Sequence, residues 1–532
     1  MILHLRKLRI VVSVLFLLLT SLLFIDFKSW IPVWLNKYIL FPQFVPSVFK
    51  FIGLLALGSA GFIFIIVLTA LFGRVYCSSI CPFGTMMDAV NWLSKKIKKK
   101  KRFHEFKPYT LLRYSILGLT AASALGGTMM LVDLLDPYSN FGRIISNFVR
   151  PALIWVNNST VYTLEKFKIY SLYPAEFRGI HFALLLFPAA VFITIAYLSY
   201  TRGRLYCNSI CPVGSLLGII SKYSWWKLSI DKNSCNSCGR CERVCKAGCI
   251  DRKGQTIDYS RCVACFNCIE VCPDKGIGFD RFFSEKTAVP EKKKTQHAAR
   301  EMKADVSKRN FLFNTAMFLI GSTTVSYAQY VQKKIKTYKK TTFVVFKKNP
   351  VTPTGSLGVQ HFTGKCTACH LCVSACPTQV LQPAYLEYGL LGMMQPKMDY
   401  SKSYCNFECR VCGEVCPAGA ILPVTAEAKK TLQMGKVKFY KQNCIVNTEN
   451  TDCGACSEHC PTKAVNMVPF KGNLTIPEVK EDICVGCGAC EYACPANPYK
   501  AIMVEGNPIH QVAKKPEIKK IKMQETKEDF PF

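Results

Sequence analysis

The stretch Gly73-Arg-Val-Tyr-Cys77-Ser-Ser-Ile-Cys81-Pro-Phe-Gly84 returns 130 residues later as Gly203-Arg-Leu-Tyr-Cys207-Asn-Ser-Ile-Cys211-Pro-Val-Gly214. The two copies differ only at Val75/Leu205, Ser78/Asn208 and Phe83/Val213, so chance is a poor explanation and an internal repeat the better one. Each copy directly follows a long apolar run, residues 51–72 in one case and 182–199 in the other. Two more runs, 10–27 and 114–132, precede these. A bilayer is crossed by ~20 residues of helix, so each run can span or nearly span one. The third is rich in Gly, Ala, Ser and Thr, which permit close helix packing in lipid. Residues 1–224 therefore read as a membrane all-α unit of four transmembrane helices in two hairpins, each hairpin ending in C-x3-C-P.

Orientation follows from the basic residues, which favour the cytoplasmic side. Arg6, Lys7 and Arg9 precede the first run, a Lys/Arg cluster at 95–102 follows the second, and Arg202, Arg204 and Lys222 follow the fourth. The loops at 28–50 and 133–180 carry fewer positive charges near the membrane, and Trp30, Trp34 and Tyr38 suit an interface. Both ends of the unit are thus expected in the cytoplasm, with the protein in a bacterial inner membrane. The whole chain of 532 residues is 50% hydrophobic and 19% charged, which excludes a disordered polypeptide. Its excess of 68 Lys+Arg over 35 Asp+Glu, +33, sits largely beside apolar runs. Topology and anionic lipid account for it there, so no nucleic-acid partner is expected.

Residues 281–309 form a basic linker without apolar periodicity, and a fifth apolar run follows at 311–327. That run is short and contains Asn314, Ser322, Thr323 and Thr324, so the segment 310–329 resembles a signal or signal-anchor helix. Ser307-Lys-Arg-Asn-Phe-Leu312 before it is similar to the twin-arginine export motif, with Lys308 in place of the first Arg. A plain basic flank is the other reading. Under either, the domain at 360–510 is expected outside the membrane, with a charged tail at 511–532.

The 29 cysteines are odd in number and fall into short regular groups, which argues against a disulfide framework. Residues 225–280 contain Cys235, Cys238, Cys241 and Cys245, then Cys262, Cys265, Cys268 and Cys272-Pro273. In the two-cluster ferredoxin pattern the fourth cysteine of each run serves the other cluster. Cys235, Cys238 and Cys241 are therefore paired with Cys272, and Cys262, Cys265 and Cys268 with Cys245. Cys245 lacks the usual following proline. Cys249 stands outside both runs, as a small buried hydrophobe or as a fourth ligand in place of Cys245. Structural zinc is the competing reading, but zinc usually takes two C-x2-C pairs rather than four-cysteine runs.

Residues 360–510 carry four further groups. They are Cys366, Cys369, Cys372 and Cys376; Cys405, Cys409, Cys412 and Cys416; Cys444, Cys453, Cys456 and Cys460; and Cys484, Cys487, Cys490 and Cys494. Each ends in Cys-Pro, and the fold class expected of both soluble parts is α+β, ferredoxin-like. Six [4Fe-4S] clusters result in all, two on one side and four on the other. The extra residue after Cys405 and the eight residues after Cys444 can relax those loops, and the pairing of fourth cysteines in this domain stays open. Cys366-Thr-Ala-Cys369-His370 matches a haem-attachment motif, yet Cys372 and Cys376 continue the ferredoxin register without interruption.

For the repeat, cysteines at i and i+4 on a helix share a face. Cys77, Cys81, Cys207 and Cys211 can then offer two thiolates each to a seventh cluster; redox-active thiol pairs and packing cysteines are the alternatives. No catalytic constellation stands out. His181, Asp133, Asp136 and Arg143 lie toward the outer side as structural or interfacial residues, not as an assigned quinol site.

The repeated Gly-Arg-x-Tyr-Cys-x3-Cys-Pro, the four runs and the two-cluster group resemble the NapH type of quinol dehydrogenase membrane subunit over residues 1–280. This part also resembles the membrane and ferredoxin part of NosR. The region after Lys308-Arg309 resembles NapG, a four-cluster periplasmic polyferredoxin, through the Cys405-x3-Cys409 variant above all. The resemblance implies a fusion that passes electrons from membrane quinol to a periplasmic reductase or cytochrome, a component of a quinol dehydrogenase rather than a stand-alone enzyme. Its implied partners are membrane lipid, the quinone pool and that acceptor. A NosR-like maturation or regulatory factor donating electrons to a partner metalloenzyme is the alternative.

Overall fold

Residues 2–25 contain neither Gly nor Pro and are dominated by Leu, Ile and Val, and Ile2–Ile25 forms one uninterrupted helix, α1. At 1.5 Å per residue it is ~36 Å long, comparable to a bilayer core of ~30 Å. The computed structural model describes residues 2–27, 30–54, 57–98, 109–176, 182–281 and 347–515. His181, the end of the basic cluster at 95–102, the linker, the export-like motif, the fifth run and most of the tail lie outside the described residues.

After α1 come α2 (Val33–Leu40), α3 (Phe44–Leu54), α4 (Gly61–Phe72), α5 (Val75–Ser79), α6 (Pro82–Lys98) and α7 (Thr110–Leu125). Then follow α8 (Met130–Leu135), α9 (Pro137–Ile144), α10 (Arg150–Lys166), α11 (Phe182–Arg202), α12 (Leu205–Ser209) and α13 (Pro212–Ser221). Two of the four apolar runs are continuous helices long and apolar enough to cross a membrane, with mean hydropathy 2.6 over Leu5–Ile25 and 1.8 over Leu184–Arg202. Only 28% and 22% of those windows are buried in the protein, so most of each helix turns Leu and Ile outward, as at Leu15, Leu18, Leu186 and Ile193. The other two runs are each divided. Gly58-Ser59-Ala60 lies between α3 and α4, and Gly126-Gly127 between α7 and α8. Gly127 has φ +77°, a conformation that ends helices and that glycine adopts without steric cost.

Two small lobes pack against this helical unit. The first opens with β1 (Trp226–Ile230), which pairs antiparallel with β4 (Ile277–Arg281), Trp226 opposite Arg281. Between them lie α14 (Arg240–Val244), the hairpin β2 (Ile250–Asp251) and β3 (Thr256–Ile257), and α15 (Asn267–Val271). The second lobe holds three two-stranded antiparallel sheets: β5 (Leu381–Pro383) with β6 (Pro396–Met398), β7 (Leu432–Phe439) with β10 (Ile502–Val512), and β8 (Val465–Pro469) with β9 (Thr475–Val479). None of these sheets can bury a core by itself, so the buried cysteines and the loops around them make up much of each interior.

The lobes lie at opposite ends of α1. Arg6, near its start, pairs with Glu270 of α15. Phe24, near its end and ~27 Å further along, packs on Tyr138 and Phe141 of α9. The neighbouring Gly142 abuts the carbonyl of Cys369 so closely that a Cβ there would stand 2.4 Å from it. Ser146 also meets Ser374 at 2.9 Å, and Arg150 donates to the Ser374 carbonyl at 2.8 Å. The second lobe thus docks on the 133–180 segment, and the first on elements that follow the second and fourth runs.

Candidate metal centres

The two repeats fold onto each other as a swapped pair. Arg74 reaches across to the Cys207 carbonyl at 3.0 Å, and Arg204 reaches back to the Cys77 carbonyl at 2.8 Å. Each guanidinium also approaches the first cysteine of its own copy, Arg74 to Cys77 Sγ at 3.8 Å and Arg204 to Cys207 Sγ at 3.9 Å. Gly84 and Gly214 make room for this crossing: a Cβ would stand 2.4 Å from the Cys77 carbonyl oxygen and 2.2 Å from that of Cys207. Most of the repeated residues are thereby explained by one packing arrangement. Cys77, Cys81, Cys207 and Cys211 are at most 6% exposed, and their sulfurs lie close enough for their charges to act on one another.

The cysteines of each pair do not share one helix, as the i, i+4 reading expected. Cys77 and Cys207 lie in α5 and α12, whereas Cys81 and Cys211 stand at the starts of α6 and α13. The proline after each second cysteine has no N–H to continue a helix and begins a new one instead. Cys211 caps α13, its sulfur accepting from Gly214 N at 3.3 Å. A helix N-terminus favours an anionic sulfur. Arg74 is completely buried, and its partners are Asn208 Oδ1, two carbonyls and a thiol. A buried guanidinium is costly without a counter-anion, and deprotonated repeat thiols would supply one.

Asp88 of α6 ties three parts of the molecule together. It bonds Arg9 of α1 at 3.2 Å, Arg204 at 3.0 Å and Lys246 at 3.1 Å. Burial alone would raise its carboxyl; Arg204, Lys246 and Arg9 overcome this and hold it below the usual carboxylate range. Lys246 is the residue that replaces the expected proline after Cys245. Its carbonyl also accepts from Arg204 N at 2.8 Å, so the departure from the ferredoxin pattern serves to dock the first lobe. Arg113 adds a bond to the Ser260 carbonyl at 2.8 Å. Asp88, Arg113 and Lys246 were not singled out by sequence; only the missing proline was a signal.

In the first lobe, Cys235, Cys238, Cys241 and Cys272 line one cavity of about 450 Å³. Cys245, Cys262, Cys265 and Cys268 line a second of about 330 Å³, together with Cys249. The crossed grouping is the one the ferredoxin spacing led us to expect. Cys249 Sγ is 3.5 Å from Cys245 Sγ, and this contact holds the Cys245 thiol below its ordinary range.

The second lobe repeats the crossing and resolves the grouping left open by sequence. Cys366, Cys369 and Cys372 surround a cavity of about 310 Å³ with Cys416, and Cys444, Cys453 and Cys456 one of about 340 Å³ with Cys494. Cys405, Cys409 and Cys412 face Cys376, and Cys484, Cys487 and Cys490 face Cys460. The Cys405 amide donates to the Cys487 carbonyl at 2.9 Å, which joins the two halves of the lobe. Burial pushes the Cys369, Cys456 and Cys487 thiols up to about 12, so a bound cation must displace their protons. Amide donors aim at cysteine sulfurs, Ala368 N to Cys366 at 3.4 Å and Gly486 N to Cys484 at 3.3 Å.

Loop geometry separates regular from irregular groups. In the four C-x2-C-x2-C runs the residues flanking the second cysteine are left-handed, as at Ser237/Gly239, Ala264/Phe266, Ala368/His370 and Gly486/Gly488. The groups with insertions lack this: between Cys405 and Cys412 no residue has positive φ, and between Cys444 and Cys456 only Asn450 does. His370 is thus a turn residue. It is 1% exposed, bonds the Met394 carbonyl at 2.9 Å, and burial together with Arg143 pushes its pKa down to about 3. It is not free to serve a haem.

Among the described residues no three His, Cys, Asp or Glu side chains converge tightly enough for a single metal ion. Zinc, with bonds of ~2.3 Å to sulfur, requires such convergence. A cubane places its own irons and sulfides between the thiolates, and the wider four-cysteine cavities fit it. Asp136 is a helix cap, accepting from Ser139 N at 2.9 Å, and Asp133 and Arg143 are buried at the joint with the second lobe, where Asp133 meets Gln395 at 3.3 Å.

A family described as 4Fe-4S binding domain matches residues 54–101 and 181–230, the two C-x3-C-P repeats, and a 4Fe-4S dicluster domain matches 365–420 and 451–497. The chain is 28% identical over 222 residues to an uncharacterized protein of Methanocaldococcus jannaschii, covering 41% of this chain and 68% of that protein. It is 28% identical over 226 residues to the ferredoxin-type protein NapH of Escherichia coli, covering 40% and 64%. It is 26% identical over 175 residues to the methylamine utilization ferredoxin-type protein MauN of Methylobacillus flagellatus, covering 32% and 48%. The matched segments span about two thirds or less of these relatives. No solved structure matches. The chain therefore carries 4Fe-4S domains and is similar to NapH-like ferredoxin-type electron-transfer proteins.

Proposed function

We propose that this chain is a multi-pass membrane electron carrier that takes electrons from quinol and delivers them to a reductase or cytochrome on the far side of the bilayer. The observation that carries this reading is that two cysteine-rich lobes lie at opposite ends of an apolar helix of bilayer length, with four buried thiols of the repeat between them. The six crossed cysteine groups would hold six [4Fe-4S] clusters, and Cys77, Cys81, Cys207 and Cys211 a seventh. When bound, such clusters supply one-electron transfer between neighbouring sites. The assignment of 4Fe-4S binding to residues 54–101 and 181–230 supports the seventh.

The chain's own residues arrange these sites in a row. Cys235, Cys238, Cys241 and Cys272 are outermost in the first lobe, and the group containing Cys245 and Cys262 touches the repeat through Lys246 and Arg204. Tyr206 and Tyr138, both buried, lie between the repeat thiols and Cys369. From there the row continues through Cys376, Cys405 and Cys487 to the group around Cys453. Arg74, Arg204 and Lys429, whose Nζ is 3.6 Å from Cys405 Sγ, supply positive charge beside the sulfurs and favour the more negative reduced forms.

Iron analysis with low-temperature spin resonance on anaerobically purified chain tests this reading. Six clusters correspond to about 24 irons and seven to about 28. Iron content unchanged between wild type and a Cys77→Ser/Cys207→Ser double variant would remove the seventh. Reporter fusions after residue 340 test the crossing, since cytoplasmic activity there would put both lobes on one side. Failure of quinol to reduce the chain in vesicles would remove the donor.

A further inference from the structure

The chain Cys245-Lys-Ala-Gly-Cys249 is a tight turn with both cysteines on its inner side. It is clamped from outside by the repeat: Arg204 N bonds the Lys246 carbonyl at 2.8 Å, Asn208 Nδ2 bonds the Ala247 carbonyl at 3.1 Å, and Lys246 Nζ bonds Asp88. A Cβ on Gly203 would stand 2.4 Å from the Lys246 carbonyl, so the clamp leaves no slack. Inside the turn, Cys249 Sγ lies 3.5 Å from Cys245 Sγ and also bonds Cys262. Cys249 is 4% exposed and Cys245 8%, and both line the cavity shared with Cys262, Cys265 and Cys268. Five thiols therefore surround one site that needs four.

We infer that Cys249 is an exchangeable fifth ligand of this centre, able to take over the corner held by Cys245. The inference rests on the iron–sulfur reading of these groups. In the exchange the bond from iron to the Cys245 sulfur breaks as the bond to the Cys249 sulfur forms, and the proton on Cys249 passes to Cys245; no electron is gained or lost. The two sulfurs are near enough for the swap to need only side-chain rotation, because the clamped turn already presents both. The contacts of Cys249 are with Cys245 and Cys262, so Cys265 serves as the control corner.

Iron per chain and the thiol reactivity of residue 249 test this on anaerobically purified full-length protein. Cys245→Ala is expected to keep wild-type iron, with Cys249 passing from alkylatable by iodoacetamide after mild unfolding under retained metal to protected. Cys249→Ala is also expected to keep wild-type iron, whereas the double variant and Cys265→Ala each lose about four irons. Loss of about four irons from Cys245→Ala alone, equal to that from Cys265→Ala, overturns the inference. If the wild-type chain itself binds no iron, the underlying reading falls, and that outcome is distinct from loss confined to Cys245→Ala.

Discussion

Asp88 is a single carboxylate holding three cations from three parts of the chain, and its worth follows from what its loss would strand. Asp88→Asn leaves Arg9, Arg204 and Lys246 without their anion, two of the three well buried. Removing one partner from a buried pair costs about 3–5 kcal/mol. Thermal unfolding of detergent-solubilised variant and wild type should register this, together with release of the first lobe to limited proteolysis. His510 provides a pH test. Burial, then Lys429, pushes its pKa from 6.5 to about 4, and its Nε2 meets the Thr352 hydroxyl at 2.8 Å. The unfolded chain binds this proton below pH 6.5 and the folded chain does not until about pH 4. Stability is therefore lost as pH falls through that window, by up to about 3 kcal/mol. His510→Gln should flatten the difference between denaturant midpoints at pH 7 and pH 5. Neither residue was legible in the sequence: a lone Asp in a polar helix and a His in a strand carry no pattern, and only the fold reveals what faces them.

Among the elements, the repeat was the most legible. Its arginines, its first cysteines and its second glycines, Gly84 and Gly214, proved to serve one crossed contact. What could not be read was that proline splits each cysteine pair between two helices, because i, i+4 spacing is compatible with a continuous helix until the missing N–H is weighed. Gly214→Ala should confirm how tight the crossing is. Its Cβ would press on backbone and on Arg74, at 2.8 Å from Nη2, and overpacking of this kind costs about 1–3 kcal/mol. Reduced expression in membranes and loss of iron specific to the repeat thiols are the expected outcomes, with the first lobe's iron retained. The apolar runs were legible as runs but not as helices: Gly126-Gly127 and the small residues at 58–61 break two of them, a local backbone effect that mean hydropathy does not register. Grouping of fourth cysteines in the second lobe was equally hidden, since four groups of similar spacing admit several crossings until the folded chain brings Cys412 to Cys376 and Cys490 to Cys460.

At the scale of the whole molecule, the cysteine-lined cavities stand where larger proteins have a hydrophobic core. Each lobe consists of two-stranded sheets and short helices around spaces of about 310–450 Å³ lined by cysteines. Iron removal by a strong chelator should therefore unfold both lobes while leaving α1 and α11 helical, which circular dichroism in detergent would show as partial loss of signal. The six cysteine groups also differ in shelter. Cys238 is exposed and Cys235, Cys241 and Cys272 are half-buried, whereas Cys366, Cys369, Cys372 and Cys416 are buried. Dissolved dioxygen reaches the outer tip of the first lobe long before the joint beneath the second. Air should thus corrode the molecule from one extremity, bleaching that tip first and sparing the interior, so that a sample handled carelessly would lose one end of its row of centres while its remaining colour still looked intact.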